Sequence, residues 1–157
     1  MSETRQVMKV FKLQHDGIEL YAKSAETLLA LPLPFVAQGI PAGWPSPAED
    51  HLENELDFNK DFIKNPSSTF YTRIKGDSMK DVGINDGDIA IVDRSLEPKT
   101  GKIAVCYIDG QFTIKTVVIE KNVIWLVAQN EKYEPIRVTK DNDFIIWGIV
   151  INVIKSF

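Results

Sequence analysis

From residue 68 to the C-terminus, short runs rich in β-branched and aromatic residues alternate with turn-forming residues. The runs cover about 69–75, 88–93, 102–108, 111–119, 122–128, 135–138 and 144–154, each about the length of one strand. Between them stand Asn85-Asp86-Gly87, Asp109-Gly110, Lys121-Asn122 and Asp141-Asn142, residue types that tolerate the tight or left-handed backbone of a turn. Short strands at this spacing predict a mainly β body, a compact barrel or a set of curved sheets. Helix signals gather just before it. Ser46-Pro47-Ala48-Glu49 offers an N-cap serine, a proline at the first helical position and a glutamate placed for a capping box. Leu52 and Leu56 follow at i, i+4 spacing, so a short helix is expected over about 47–56. A second helical turn is expected over Asn59–Lys64, ending before Pro66.

Upstream the signals thin out. Val7–Leu13 partly alternates and Gly17–Tyr21 reads as a second strand, with His15-Asp16-Gly17 as the turn. Ser24–Leu31 offers one or two helical turns. Pro32, Pro34, Pro41, Pro45 and Pro47 then crowd together around Gly39 and Gly43. Each proline fixes its own φ and pushes its predecessor toward extended conformations. The chain therefore divides into an N-terminal arm (1–42), an extended proline-rich linker and a C-terminal body (43–157).

Composition narrows the function classes. The chain has 157 residues, 44% hydrophobic and 25% charged, enough for one domain with a real core and unlike a disordered chain. Its net charge is −4, and the arm is balanced, with Arg5, Lys9, Lys12 and Lys23 against Glu3, Asp16, Glu19 and Glu26. The body thus carries the excess acid. With no helix-turn-helix pattern and no basic stripe, direct sequence-specific DNA binding is not expected. The most apolar stretch, Thr27–Ile40, is interrupted by Pro32 and Pro34 and falls short of the roughly 18 residues of a membrane span. The N-terminus lacks the basic flank and apolar run of a signal peptide, and one cysteine suits a reducing compartment, so a cytoplasmic location is expected.

Two features bear on chemistry. Gly76-Asp77-Ser78-Met79 follows the strand Phe70–Lys75. A serine there can sit on a tight turn with its hydroxyl exposed and neighbouring backbone N–H groups aimed at an oxyanion; it can equally be a turn serine bonded to its own backbone. Lys115 shares a strand face with Thr113, Val117 and Ile119. A lysine on a mostly apolar face is desolvated, which lowers its pKa and lets the neutral amine act as a general base; a lysine at a strand edge would instead reach out to water. Other chemistries find less support. His15 and His51 suggest no catalytic triad, and His51 lies in a charged, solvent-facing stretch. Cys106, in Ile103-Ala104-Val105-Cys106-Tyr107, reads as core. One cysteine and two distant histidines make no zinc site, and Asp86, Asp88 and Asp93 read as turn and strand residues. No metal and no cofactor is expected.

Taken together these residues resemble the self-cleaving Ser-Lys proteases of the LexA and UmuD type. The likeness runs from Ala42-Gly43 to the C-terminus. Gly43-Trp44-Pro45-Ser46-Pro47-Ala48 is similar to the UmuD segment at and after its cleavage point. Gly76-Asp77-Ser78-Met79, with Gly83-Ile84-Asn85-Asp86-Gly87-Asp88 and Ile91-Val92-Asp93, resembles the family's nucleophile block. Phe112-Thr113-Ile114-Lys115 resembles the general-base strand, and Trp147-Gly148-Ile149-Val150-Ile151 the last core strand.

The resemblance implies a curved β-sheet body of the LexA/UmuD (signal-peptidase-like) kind, with one or two short helices and an extended arm. It implies that Ser78 attacks the Ala42 carbonyl, that Lys115 takes the serine proton, and that the backbone N–H groups of Asp77 and Ser78 hold the oxyanion. Cleavage between Ala42 and Gly43 would remove the arm. Lacking a DNA-binding element, the chain fits the UmuD branch better than the repressors. That branch implies a homodimer, a RecA–single-stranded DNA filament as activator, and a Y-family DNA polymerase joined by the shortened dimer for error-prone synthesis in the SOS response. The arm is longer than is typical of UmuD proteins, with room for extra strands or a partner site. Three other readings share the fold or the chemistry: a non-cleaving regulatory binding module, an antirepressor, and a signal peptidase, which would need a membrane anchor.

Overall fold

A computed structural model of the protein describes residues 14–15, 18–21, 32–35, 42–43 and 54–157. The alternating runs become strands nearly where the residue pattern places them: β5 (Thr69–Arg73), β6 (Ile89–Asp93), β7 (Ile103–Ile108), β8 (Gln111–Glu120), β9 (Val123–Val127), β10 (Ile136–Val138) and β11 (Phe144–Ile154). Upstream lie β1 (Gln14–His15), β2 (Ile18–Tyr21), β3 (Pro32–Phe35), β4 (Asn54–Asp57) and one short helix, α1 (Phe58–Phe62). The chain forms two compact units, Met1–Ser24 with Asn65–Phe157, and Ala25–Lys64.

Among the described residues of the first unit, nine strands make one antiparallel sheet in the order β1-β2-β5-β6-β11-β7-β8-β9-β10. The fold is thus mainly β, as expected for the LexA/UmuD family. Strands β7 to β10 form a meander, while β11 returns to sit between β6 and β7. Because successive side chains point to opposite faces, β7 feeds two separate cores. Val105 packs with Phe70, Met79, Val92 and Ile114 on one side, and Ala104 and Cys106 pack with Val117, Leu126 and Ile149 on the other. Trp147 of β11 meets Phe70 and Phe112 edge-on, with ring centroids 5.9 and 5.0 Å away, and so ties β5 and β8 to the sheet centre. Gly148 marks an irregularity in β11. A Cβ there would lie 2.7 Å from Val92 Cγ1 and 3.1 Å from the Asp93 carbonyl oxygen, so only glycine fits this close approach.

In the second unit β3 and β4 pair antiparallel, from Pro32↔Asp57 to Phe35↔Asn54. This corrects the helix expected over 47–56: residues 47–53 lie outside the described residues, and Asn54–Asp57 is strand. Capping signals are local, whereas pairing with Pro32–Phe35 satisfies the same backbone from a distance. The helix starts later, where Asp57 Oδ1 accepts from the Asn59 and Lys60 amides at 3.0 and 3.2 Å, and Asp61 Oδ2 accepts from the Asp57 amide at 2.8 Å. The second expected turn, Asn59–Lys64, overlaps this helix, which starts one residue earlier and ends two residues earlier. In the arm, β2 matches the strand expected at 17–21. His15, expected in the turn, belongs to β1 and pairs with Ile18. The expectations at Val7–Leu13 and Ser24–Leu31 lie outside the described residues.

Candidate active site

The turn after β5 is built to hold one residue in place. Gly76 has φ +87°, a left-handed backbone that a side chain would strain, and its N–H donates to Asp86 Oδ1 at 2.6 Å. Three residues on, Met79 is buried in the core at 1% exposure and anchors the turn from below. Ser78 lies between these two fixed points. Its carbonyl accepts from the Gln129 amide at 2.8 Å, and the Asp81 amide donates to the Gln129 carbonyl at 2.9 Å, so the segment after β9 braces the serine turn.

Lys115 approaches from the middle of β8. Its side chain is 7% exposed, and Nζ donates to Ser78 Oγ at 3.1 Å, to Thr113 Oγ1 at 2.8 Å and to the Ile114 carbonyl at 3.0 Å. Burial holds the ammonium below the ordinary lysine range, against a small opposing pull from Cys106. No carboxylate is among these contacts. A buried lysine with neutral hydrogen-bond partners and a serine hydroxyl in reach has the geometry of a nucleophile and its base.

Asp77 is tethered by two residues that the sequence pattern did not single out. Tyr133 Oη donates to Asp77 Oδ1 at 2.6 Å. The buried Asn130 amide donates to the Asp77 carbonyl at 3.0 Å and to Oδ2 at 3.2 Å. The bond from Tyr133 is the main reason the Asp77 carboxyl is held low, and the same contact raises the Tyr133 phenol. Asn130 and Tyr133 lie in the polar stretch 129–134, whose only hint in the sequence is one aromatic residue among charged ones. A cleft of about 200 Å³ opens over Ser78 and Lys115, bounded by Gly76, Phe112, Thr113 and Tyr133.

Comparison with known proteins gives the family. Residues 34–151, which contain both Ser78 and Lys115, match the peptidase S24-like family. The chain belongs to that family. Within it, MucA of Salmonella typhimurium is 37% identical over 119 residues, 75% of this chain and 81% of its own. ImpA of Escherichia coli is 36% identical over 122 residues, 77% of this chain and 82% of its own. The LexA repressor of Shewanella denitrificans is 36% identical over 141 residues, 89% of this chain and 67% of its own. The LexA/UmuD likeness read from the motifs is therefore one of family, and the peptidase S24-like family includes self-cleaving serine peptidases.

The remaining candidates take other places in the fold. Ala42 and Gly43 occupy an exposed bend of the second unit, between β3 and β4. Cys106 is fully buried and its thiol is pushed up to about 12 by burial, which makes it inert core. His15 contributes backbone to β1, and His51 lies outside the described residues. Asp86 serves the Gly76 amide. Asp88 accepts from the Asn85 amide at 2.8 Å and from Lys155 at 2.6 Å. Asp93 gathers Asn65, Ser68 and Ser95 at 2.6–3.0 Å. For both Asp88 and Asp93, burial pushes the carboxyl up, but these bonds outweigh it and leave the pKa lowered. All three aspartates are thus engaged by the fold. Among the described residues no helix is long and apolar enough to cross a membrane.

Proposed function

We propose that the protein is a self-cleaving serine peptidase that cuts its own Ala42–Gly43 bond with a Ser78/Lys115 dyad. The observation that carries this reading is the 3.1 Å contact between Lys115 Nζ and Ser78 Oγ at a lysine whose pKa burial lowers. Neutral Lys115 takes the Ser78 proton as Oγ attacks the Ala42 carbonyl carbon. The backbone N–H groups of Asp77 and Ser78 hold the resulting oxyanion. Collapse breaks the Ala42–Gly43 bond, and Lys115 passes the proton to the Gly43 amine. Water then attacks the Ala42 acyl ester on Ser78, giving its proton to Lys115 and restoring the serine. The products are residues 1–42, ending in a carboxylate, and residues 43–157, beginning with a free amine.

The pairing of β3 with β4 favours this substrate, because Ala42-Gly43 stands in an exposed bend between two paired strands in the sequence. Small residues on both sides of the bond leave its carbonyl open to attack. A tethered substrate also has a high effective concentration, so a weak site suffices.

The likeness to the LexA/UmuD family supports a wider role. The processed chain acts as a homodimer in the cytoplasm, as accessory subunit of a Y-family, error-prone polymerase in the SOS response. A RecA–single-stranded DNA filament stimulates the cut. Intact-mass spectrometry of wild type and Ser78→Ala, incubated at rising pH with and without RecA, nucleotide and single-stranded DNA, tests the reading. A fragment beginning at Gly43 in wild type only is the expected result. Wild type left whole under every condition would turn the reading toward a non-cleaving regulatory module of the same fold.

A further inference from the structure

Two ladders span the Ala42–Gly43 bond. In the first unit β2 pairs with β5 in the register Glu19↔Arg73, Leu20↔Thr72 and Tyr21↔Tyr71. In the second unit β3 pairs with β4 in the register Pro32↔Asp57, Leu33↔Leu56, Pro34↔Glu55 and Phe35↔Asn54. In each ladder one strand precedes residue 42 and its partner follows residue 43. The bond itself lies in a bend outside both. Breaking it therefore removes a covalent link and no cross-strand pair.

The β5 ladder has a further consequence. The other side of β5 is taken by β6, so without β2 this strand would present a row of unpaired backbone groups at the sheet edge. β1 and β2 precede residues 34–151, which match the peptidase S24-like family.

We propose that cleavage leaves a nicked but assembled protein, in which residues 1–42 stay seated on residues 43–157 through β2 on β5 and β3 on β4. Release of the arm is then a second, separate event. Before the cut the arm returns to its place as part of the same chain; after it, return is bimolecular and weakens on dilution. The ladders hold three and four residue pairs, short enough for the arm to be displaced. The cut thus converts a permanent cover of the β5 edge into an exchangeable one.

This inference rests on the proposed cut, but its test need not. In Ser78→Ala, a site-specific protease sequence replacing residues 38–43 lets an added protease open the same bend. Wild type that has cut itself is measured beside it. Native mass spectrometry should find both cut proteins at the mass of the whole chain plus one water. Hydrogen exchange over 69–73 should match that of the uncut protein. Successive amides of a strand point to opposite sides, so one of Leu20→Pro and Tyr21→Pro removes a donor to β5, and that variant should lose arm retention or β5 protection once cut. Bodies found alone, with faster exchange over 69–73 in the cut forms, would overturn the proposal. So would unchanged retention and protection in both proline variants. Assembly of the protease-opened protein, with wild type left uncut under every condition, would leave this inference standing and remove the proposed self-cleavage.

Discussion

The amine of Lys115 lies 3.1 Å from the hydroxyl of Ser78, across 37 positions of sequence. Two independent structures bring it there. β8 is locked in register between β7 and β9, which fixes the Lys115 backbone beside Ala104. The serine turn is pinned below by Met79 and braced by Gln129. Neither side chain has to reorganise to meet the other, which favours proton transfer over mere proximity.

Self-cleavage should accelerate with pH. Burial lowers the Lys115 pKa, so neutral amine accumulates as pH rises through that lowered value, and the rate should level off before the ordinary lysine range near 10.5. Lys115→Ala removes the base and should slow cutting by roughly 100- to 10,000-fold. Lys115→Arg, which stays charged, should be equally inert. Rates from intact mass across a pH series check all three. A pH-independent wild-type rate, or cutting in the alanine variant, would remove Lys115 as base.

The same lysine should cost the protein stability. Its folded pKa lies below its unfolded value, so between the two the unfolded chain binds more protons and stability rises with pH; below both, the cost is at its full value. Lys115→Met should therefore melt higher than wild type at neutral pH, and the gap should narrow as pH climbs toward about 10.5. Thermal melts over that range would show it. A gap independent of pH would assign the effect to packing instead.

Tyr133→Phe keeps the ring beside the cleft but removes the hydroxyl that donates to Asp77 at 2.6 Å. Asp77 then keeps the Asn130 side-chain amide and, at its carbonyl, the Lys80 amide. Because the Asp77 backbone adjoins the nucleophile, cleavage should slow without stopping, and the pH at which the rate rises should stay that of wild type. A shifted pH profile would mean that Tyr133 acts on Lys115 rather than on the turn.

Gly148→Ala should destabilise the fold by about 1–3 kcal/mol, because the added Cβ meets Val92 Cγ1 at 2.7 Å and the Asp93 carbonyl oxygen at 3.1 Å. The backbone atom cannot turn away as a flexible side-chain end can. A lowered urea midpoint with an unchanged slope is the expected result.

The body's strands were legible because each carries its own evidence. Ile89–Asp93 and Ile103–Ile108 are β-rich runs bounded by turn residues, and their placement needs no partner to be read. The candidate pair was legible only in company: a serine after Gly76 and a lysine among apolar strand neighbours also suit a turn and a strand edge, and their likeness to the LexA/UmuD motifs singled them out. The helix expected over 47–56 shows the limit. A serine-proline-glutamate start is a local preference of about one kcal/mol, and at Asn54–Asp57 backbone pairing to Pro32–Phe35 replaces it.

The sequence by itself therefore determined most strands of the body and where it turns, and singled out Ser78 and Lys115 as candidates, since these depend on neighbours within a few residues and on motif likeness. Only the tertiary structure decided what meets what. Tyr133 reaches Asp77 across 56 positions, and β2 covers β5 from the far side of the bend at 42–43. Such contacts depend on strand order and register, and those depend on how every hydrophobic face is buried at once rather than on any one segment.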